Sequence, residues 1–243
     1  MNKVLMLAFG IFAYAVFLIS LLWAVAFLGN FGLPLTADSP PRSGVLFAVL
    51  VDLGILALFA VQHTIMARPQ FKQRWTTIVP APIERSIFVL AASLILIFLF
   101  VAWQPIAGLI WNARGALRTA IYVLYASGWI FAIASTFQIN HWDVFGLRQV
   151  LGPRTNVTHE EPGLRTPFMY RIVRHPLMLG LLIAFWSSPI MTAGHLLFSL
   201  ASTVYIVAGT WFEERDLVKE FGNDYITYRE HTPGLVPFPR RRT

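Results

Sequence analysis

The sequence contains no cysteine and few charged residues for its length. Without cysteine there is no disulfide framework, no thiolate nucleophile and no cysteine-based metal site. Only 13 % of the 243 residues are charged, whereas a soluble domain carries about a quarter. The histidines lack the spacing of a metal-binding helix, and neither a Gly-rich phosphate loop nor a dinucleotide fingerprint is present. We therefore expect neither a bound metal nor an enzyme that binds nucleotides through a Gly-rich loop.

Apolar residues make up 56 % of the chain and are gathered in long runs. Spanning the hydrocarbon core of a bilayer takes roughly 20 predominantly apolar residues. The first run is too long for the core of a signal peptide, so we expect it to remain as a span. Four runs are predicted to cross the membrane: Val4–Leu28, Val45–Met66, Ser86–Trp103 and Leu117–Phe137.

A fifth apolar stretch, Leu177–Phe212, is broken at Ser187-Ser188-Pro189 and again near Gly194. Its first arm of about a dozen residues makes roughly 18 Å of helix, which is short for a complete span. We predict a helical hairpin whose two ends lie on the same side of the membrane. The predicted fold class is therefore all-α, a polytopic membrane helix bundle with four full spans plus a C-terminal helical hairpin.

The chain is expected to form a single integral membrane domain over residues 1–243. No internal repeat is visible in the sequence. Residues 1–140 form the predicted four-span bundle. Residues 141–243 contain a polar loop, the hairpin and the tail. The loop, His141–Pro176, and the tail from Glu213 are the only sizeable water-facing material. Any chemistry should therefore lie in this second part or at the adjacent helix ends.

Basic residues outnumber acidic ones, which gives a formal net charge of +7. They are concentrated after the second span, after the fourth span and at the C-terminus: Arg68, Lys72, Arg74, Arg85, Arg148, Arg154, Arg165, Arg171, Arg174 and Arg240–Arg242. The positive-inside bias then predicts that these segments and both termini face the cytoplasm. We attribute the excess positive charge to this topology and to anionic membrane lipid, and not to nucleic acid.

One polar motif lies at the start of the hairpin. Pro176 is favoured at a first helical position, which puts His175 at or next to the N-cap. A helix N-terminus binds a carboxylate or phosphate, and Arg171 and Arg174 add forked donors for the same anion. Gly180 permits close approach by another helix or by a ligand. Alternatively, these basic residues merely flank a membrane helix and meet lipid headgroups.

Two adjacent carboxylates, Glu213 and Glu214, lie at the exit of the hairpin's second arm. This position is electrostatically unfavourable for carboxylates, because the membrane surface potential is negative. They have the chemistry to bind a ribose diol or to pair with Arg171 and Arg174. The alternative is an exposed helix stabilised by ion pairs one turn apart.

An aromatic stripe follows these carboxylates. The spacing of Leu217, Phe221, Tyr225 and Tyr228 places them on one face of a helix. Such a stripe serves to pack the helix against its neighbours. The two tyrosines are also suited to form a wall for an aromatic ring or a cationic sulfur.

A further polar group follows the fourth span. Asp143 is expected within reach of His141, where it would orient the imidazole and raise its pKa. His141 is then a candidate general base. Alternatively, both side chains simply cap the end of a helix.

Three elements occur in order in the C-terminal third: Arg174–Gly180, Glu213-Glu214, and Phe221-Gly222 followed by Tyr225 and Tyr228. Together they resemble the C-terminal motif of the isoprenylcysteine carboxyl methyltransferase-like superfamily, which also holds phospholipid methyltransferases and NnrU-type proteins. The resemblance implies a membrane methyltransferase that uses S-adenosylmethionine.

The rest of the chain narrows the resemblance. Phe59–Pro69, Pro82–Ser86 and Asn140–Gln149 look like the corresponding segments of bacterial methanethiol S-methyltransferases. This similarity implies a small volatile thiol, methanethiol, as methyl acceptor and dimethyl sulfide as product. It also implies a multi-pass protein of the bacterial inner (cytoplasmic) membrane whose active site faces the cytoplasm.

Under this resemblance, the expected donor-binding residues are Arg174, His175, Pro176, Leu179, Gly180, Glu213, Glu214, Tyr225 and Tyr228. Arg174 and the helix start would take the carboxylate of the donor, and Glu213 or Glu214 would take its ribose hydroxyls. A thiol reacts as the thiolate, so His141, oriented by Asp143, is the expected base, with Arg148 as electrostatic support.

Other functions remain open from the sequence. A related methyltransferase acting on a prenylcysteine carboxylate or a phospholipid amine would use the same donor site. A sterol-reductase-like enzyme would bind a nicotinamide cofactor, and a non-catalytic NnrU-like membrane protein would bind neither. A transporter is disfavoured because inverted repeats and intramembrane charge are scarce.

Overall fold

The computed structural model describes residues 2–151 and 163–237. These residues form helices α1 (Lys3–Gly29), α2 (Val45–Ala67), α3 (Pro69–Trp75), α4 (Ala81–Ala102), α5 (Gly115–Ile139), α6 (His141–Val144), α7 (Leu147–Leu151), α8 (Phe168–Ile172), α9 (Pro176–Trp186), α10 (Ala193–Phe221) and α11 (Asn223–His231), and strands β1 (Leu109–Asn112) and β2 (Ile190–Thr192). The predicted all-α polytopic bundle is confirmed. Arg154 and Arg240–Arg242, used above to predict topology, lie outside the described residues.

Five helices in the described ranges are long and apolar enough to cross a membrane: α1, α2, α4, α5 and α10. The first four correspond to the predicted spans and extend them by a few residues. Helix α4 begins at Ala81, earlier than expected, because Pro82 occupies its first turn and provides a helical start. The 27 residues of α1 make a rod of about 40 Å, longer than the ~30 Å hydrocarbon core.

The predicted hairpin is present, but its two arms are unequal. Helix α9 has 11 residues, or about 16 Å of helix, and is too short to cross a bilayer alone. Helix α10 has 29 residues and is a full-length candidate span, whereas only a hairpin arm was predicted for this stretch. Strand β2 forms the turn and pairs antiparallel with β1, which lies between α4 and α5.

Two glycines let α5 and α9 pack against each other at backbone distance. A Cβ atom added to Gly180 would lie 2.5 Å from the amide nitrogen of Ala132, and one added to Gly128 would lie 2.6 Å from that of Ala184. Small residues of this kind allow membrane helices to approach closely. Of the two roles expected for Gly180, approach by another helix is therefore the one found.

The turn of the hairpin is anchored by a buried carboxylate in the loop after α1. Asp38 accepts hydrogen bonds from the backbone nitrogen and the hydroxyl of Thr192, both at 2.8 Å. Its other oxygen accepts from the amide of Asn30 and lies 2.7 Å from Nδ1 of the fully buried His195. These bonds satisfy the polar groups at the end of the bundle where α1 finishes and α10 begins.

The opposite end, which we call the N-terminal face, holds the start of α1 and α9 and the end of α2 and α10. Arg68, just after α2, forms an ion pair of 3.0 Å with Asp216 on α10. Arg174, just before α9, pairs with Glu214, which also lies on α10. The two ends of the hairpin therefore meet at one face, as predicted.

Residues 141–151, the first part of the polar segment after α5, pack back onto the bundle. The ring of Phe145 stacks on Phe17 of α1 with a centroid distance of 4.0 Å. Arg85 of α4 donates through Nε to the carbonyl of Val144 at 2.8 Å. Because aromatic side chains in this segment supply apolar contact area, His141 at its start is buried.

The contact between α5 and α9 generates a stability prediction. Gly180→Ala should lower the free energy of unfolding by about 1–3 kcal/mol, because the added methyl group meets backbone that has no room to move. The measurement is thermal unfolding of the detergent-solubilised protein. Gly54→Ala in α2, where nothing lies within 4 Å of an added Cβ, is the matched control and should not lower the midpoint. Equal midpoints for both variants would contradict the proposed packing.

Candidate active site

Arg174 is the centre of a buried polar cluster at the N-terminal face. Its side chain is only 6 % exposed. Nε donates to Oε1 of Glu214 at 2.9 Å, and Nη2 donates to the same oxygen. Nη1 donates to the backbone carbonyls of Arg229, at 3.1 Å, and of Thr232. The guanidinium fork is therefore filled by protein oxygens, which satisfies its charge where water is excluded.

His175 lies between the two adjacent carboxylates. Its Nε2 is 3.1 Å from Oε1 of Glu214, and its Nδ1 is 3.4 Å from Oε2 of Glu213. Burial lowers the pKa of the imidazole, but the hydrogen bonds and charges of both carboxylates outweigh it and leave the pKa raised. The cluster therefore favours the protonated, cationic ring.

The C-terminal tail covers the start of α9. The backbone nitrogens of Arg174 and His175 donate to the carbonyls of Pro233, at 2.9 Å, and Gly234, at 3.3 Å. His175 occupies the N-cap without a side-chain hydrogen bond to the helix. The first residue of α9 is a proline without an N–H, so only the next two residues keep backbone N–H groups that have no partner within the helix. These two groups are the part of the helix start that favours an anion.

Glu213 and Glu214 differ in how much of each carboxylate is free. The side chain of Glu214 is 19 % exposed and is held by Arg174, whereas that of Glu213 is 52 % exposed. The pairing alternative is thus found for Glu214. Arg171 does not join the cluster within the described residues, because its Nε donates to the carbonyl of Thr166 at 3.2 Å. Glu213 is the carboxylate left available to a ligand.

The spacing of the aromatic stripe predicted one continuous helix, but the stripe is divided between two helices. Helix α10 ends at Phe221, and Gly222 has φ +55°, a backbone conformation that favours glycine. Tyr225 and Tyr228 therefore lie on the separate helix α11, with ring centroids 5.8 Å apart. Burial and the nearby charge of Glu214 raise the pKa of Tyr225 to about 12.

Both tyrosines make packing contacts. Tyr225 is 1 % exposed, and the hydroxyl of Tyr228 donates to the carbonyl of Tyr170 on α8. Among the other expected donor-binding residues, Pro176 is fully buried and Leu179 is half-buried in the first turn of α9. Gly180 faces α5. The expected residues thus lie together around the start of α9, but many already contact protein.

His141 is held between two hydroxyl groups. Its Nδ1 is 2.8 Å from Oγ1 of Thr136, and its Nε2 is 2.8 Å from the hydroxyl of Tyr14. The imidazole stacks on Phe137 at 4.0 Å between centroids. Burial lowers the pKa of His141. The expectation that a carboxylate raises this pKa was therefore wrong.

Asp143 contacts neighbours other than His141. Within the described residues its carboxylate pairs with Arg148 at 2.9 Å and accepts from the side-chain amide of Asn140. The amide of Gln149 donates to its backbone carbonyl at 3.2 Å. The expected dyad is not formed because the short helix α6 turns the Asp143 side chain toward α7. Asp143 and Arg148 instead stabilise the turn that carries His141.

Neither Thr136 nor Tyr14 was predicted from the sequence as a partner of His141. Thr136 lies five residues before His141, near enough for a helix-end contact to have been considered. Tyr14 lies 127 residues away in sequence, within an apolar run of α1. A lone tyrosine in such a run is an ordinary membrane-helix residue, so no local pattern distinguishes it.

The buried pair gives a prediction for stability. Glu214→Gln should lower the free energy of unfolding by about 3–5 kcal/mol, because it leaves the Arg174 charge buried and uncompensated. Denaturant unfolding in detergent measures the change. Glu220→Gln, an exposed position later on the same helix, is the control and should alter stability by less than about 0.5 kcal/mol. Equal effects would mean that the cluster does not stabilise the hairpin.

Comparison with known proteins identifies relatives over nearly the whole chain. A family model described as NnrU protein matches residues 51–221. Methanethiol S-methyltransferase 2 of Bradyrhizobium diazoefficiens is 46 % identical over 243 residues, covering 99 % of this chain and 94 % of the relative. Methanethiol S-methyltransferase of Crocosphaera subtropica is 43 % identical over 98 % of this chain and 94 % of the relative.

A third relative is similar over its complete length. Methanethiol S-methyltransferase of Mycobacterium tuberculosis is 43 % identical over 244 residues, which is 100 % of both chains. No solved structure matches this chain. The family model spans most of the bundle, including both α9 and α10. The chain therefore belongs to the NnrU family of membrane proteins, together with relatives that are named methanethiol S-methyltransferases.

Proposed function

We propose that this protein transfers a methyl group from S-adenosylmethionine to methanethiol and releases dimethyl sulfide. The observation that carries the proposal is the polar cluster around the start of α9, in a chain with near full-length similarity to methanethiol S-methyltransferases. A small apolar thiol partitions into lipid, so a membrane enzyme has direct access to it.

The polar cluster fits the donor in two respects. Glu213 offers a half-exposed carboxylate for the ribose hydroxyls. The two backbone N–H groups after Pro176, which lack a partner within the helix, suit the donor's carboxylate. When bound, S-adenosylmethionine supplies an electrophilic methyl group on a cationic sulfur. The residues proposed to form the donor site, either by contact with the donor or by supporting those that contact it, are Arg174, His175, Pro176, Leu179, Gly180, Glu213, Glu214, Tyr225 and Tyr228.

Within that set, we assign Arg174 and Glu214 a positioning role. Their mutual ion pair and the carbonyl contacts of Arg174 fix the start of α9 against α10 and the tail. A rigid site lowers the cost of aligning reactants, which is the main requirement of methyl transfer. Tyr225 and Tyr228 brace the same region from α11.

His141 is the proposed base. Its lowered pKa keeps the imidazole neutral and able to accept a proton near neutral pH. Asp143 and Arg148 act on it indirectly, by stabilising the turn between α6 and α7. Methanethiol is mostly protonated at neutral pH, and only its thiolate is strongly nucleophilic. A base close to the acceptor therefore increases the reactive fraction.

We further propose that the N-terminal face is cytoplasmic, in the bacterial inner membrane. Basic residues near this face include Arg68, Lys72 and Arg74, and the segment after α5 adds Arg148 and Arg171. The positive-inside bias places such segments in the cytoplasm, where S-adenosylmethionine is made.

Donor binding is the experiment that tests this proposal. Calorimetric titration of the purified protein with S-adenosylhomocysteine should give saturable binding. Glu213→Gln should weaken it about ten- to a hundred-fold, because a charge-assisted hydrogen bond is lost. Glu220→Gln, which changes an exposed glutamate in the last turn of α10, should bind like the unaltered protein.

The acceptor is tested in the same preparation. Dimethyl sulfide formed from methanethiol and donor supports the full proposal. If the protein binds the donor but methylates a prenylcysteine or a phospholipid, the proposed donor site is supported and methanethiol is the wrong acceptor. A folded protein that binds no S-adenosylhomocysteine would contradict the proposal and favour a non-catalytic membrane protein.

A further inference from the structure

The hydrogen bonds around His141 define which ring nitrogen carries the proton. Thr136 has one hydroxyl hydrogen, and its Oγ1 donates to the carbonyl of Ile133 at 2.7 Å. The same Oγ1 therefore accepts from Nδ1–H of His141 at 2.8 Å. A neutral imidazole protonated on Nδ1 has its lone pair on Nε2. His141 is thus held with Nε2 as the basic nitrogen.

The lone pair on Nε2 is directed at Tyr14. The tyrosine hydroxyl lies 2.8 Å from Nε2 and donates to it, since Nε2 has no proton of its own. The two rings are nearly perpendicular, at 87°. The tyrosine oxygen keeps its own lone pairs and remains able to accept a second proton.

Aromatic side chains surround this pair. The ring centroid of Tyr14 lies 6.0 Å from those of Phe17 and Trp142 and 5.9 Å from that of Phe145. Thiol and thioether sulfur make favourable contacts with aromatic rings at about 5 Å. The aromatic rings around the Tyr14 hydroxyl are therefore suited to contact an apolar thiol.

The pair is connected to the donor side of the bundle through α5. Ala132 contacts Gly180 on the antiparallel helix α9, so the next turn of each helix brings Thr136 to the level of Pro176. Both residues are buried. The hydroxyl that orients His141 and the helix start that belongs to the proposed donor site thus lie on one rigid interface.

We propose that Tyr14 is a catalytic residue that relays the thiol proton to His141. This inference rests on the function proposed above. The S–H bond breaks as the tyrosine oxygen takes that proton, and the original hydroxyl proton passes to Nε2. His141 becomes an imidazolium whose Nδ1–H stays bonded to Thr136. The thiolate forms the new carbon–sulfur bond as the donor's methyl–sulfur bond breaks, and the proton later leaves His141 to water.

Tyr14→Phe tests the relay because it keeps the ring and removes only the hydroxyl. Turnover at neutral pH should fall about a hundred-fold, the low end of general acid–base contributions. The loss should shrink as pH rises, since more of the thiol then ionises without help. Binding of S-adenosylhomocysteine should be unchanged. Tyr205→Phe is the matched control, because Tyr205 bonds to another histidine, His63, at 2.9 Å, and its turnover should match that of the unaltered protein.

Two further readouts separate a relay from a structural contact. Tyr14→Phe combined with His141→Ala should be no slower than His141→Ala alone, because residues that act as one unit are non-additive. Nitrogen-15 NMR of histidine-labelled protein should show the His141 resonance, identified by its loss in His141→Ala, in the Nδ1–H tautomer. This second readout does not depend on the acceptor.

Several results would overturn the relay. These are full neutral-pH turnover in Tyr14→Phe, a rate loss that is equal at all pH values, loss of donor binding in that variant, additive losses in the double variant, or an Nε2–H tautomer. A different result would contradict the proposed acceptor. If the protein binds S-adenosylhomocysteine and keeps the Nδ1–H tautomer but methylates no thiol, the acceptor is not a thiol, and Tyr14 has no thiol proton to relay.

Discussion

Contact between α5 and α9 at Gly128 and Gly180 is the constraint on which the candidate active site depends. An 11-residue helix cannot cross a bilayer, so α9 must be held by a neighbour over its whole length. Because Gly128 and Gly180 have no side chains, the two helices approach each other at backbone distance. Their antiparallel arrangement then brings the last turns of α5, which precede His141, toward the start of α9, which follows His175.

The ion pair between Arg174 and Glu214 completes this arrangement at the N-terminal face. A buried ion pair is weak evidence for stability in itself, because desolvation offsets much of the attraction. Its effect here is positional: it joins the start of α9 to the end of α10, and the backbone carbonyls of Arg229 and Thr232 accept hydrogen bonds from Nη1 of Arg174. With those charges satisfied internally, Glu213 remains as the half-exposed carboxylate. The candidate site therefore combines the fixed Arg174–Glu214 ion pair with the half-exposed carboxylate of Glu213.

Local sequence information predicted the elements well and their side-chain contacts unevenly. Apolar run length gave the four spans, and Pro176 gave the start of α9, because both signals act over a few residues. The full length of α10 was missed because Glu213 and its neighbours make its last turns polar, although the helix continues through them. The partners of His141 and Asp143 depend on how a short helix turns, and Tyr14 comes from a distant span. Such contacts are set by tertiary packing and leave no periodic pattern.

Transfer of a labelled methyl group to methanethiol is the decisive test of a thiol methyltransferase. Purified protein would be given methanethiol and S-adenosylmethionine labelled in the transferred methyl, and the headspace analysed by gas chromatography with mass spectrometry. We expect labelled dimethyl sulfide from the unaltered protein and a strongly reduced yield from His141→Ala, with donor binding retained in both. Folded protein that binds S-adenosylhomocysteine yet forms no labelled dimethyl sulfide would contradict the assignment of a thiol acceptor.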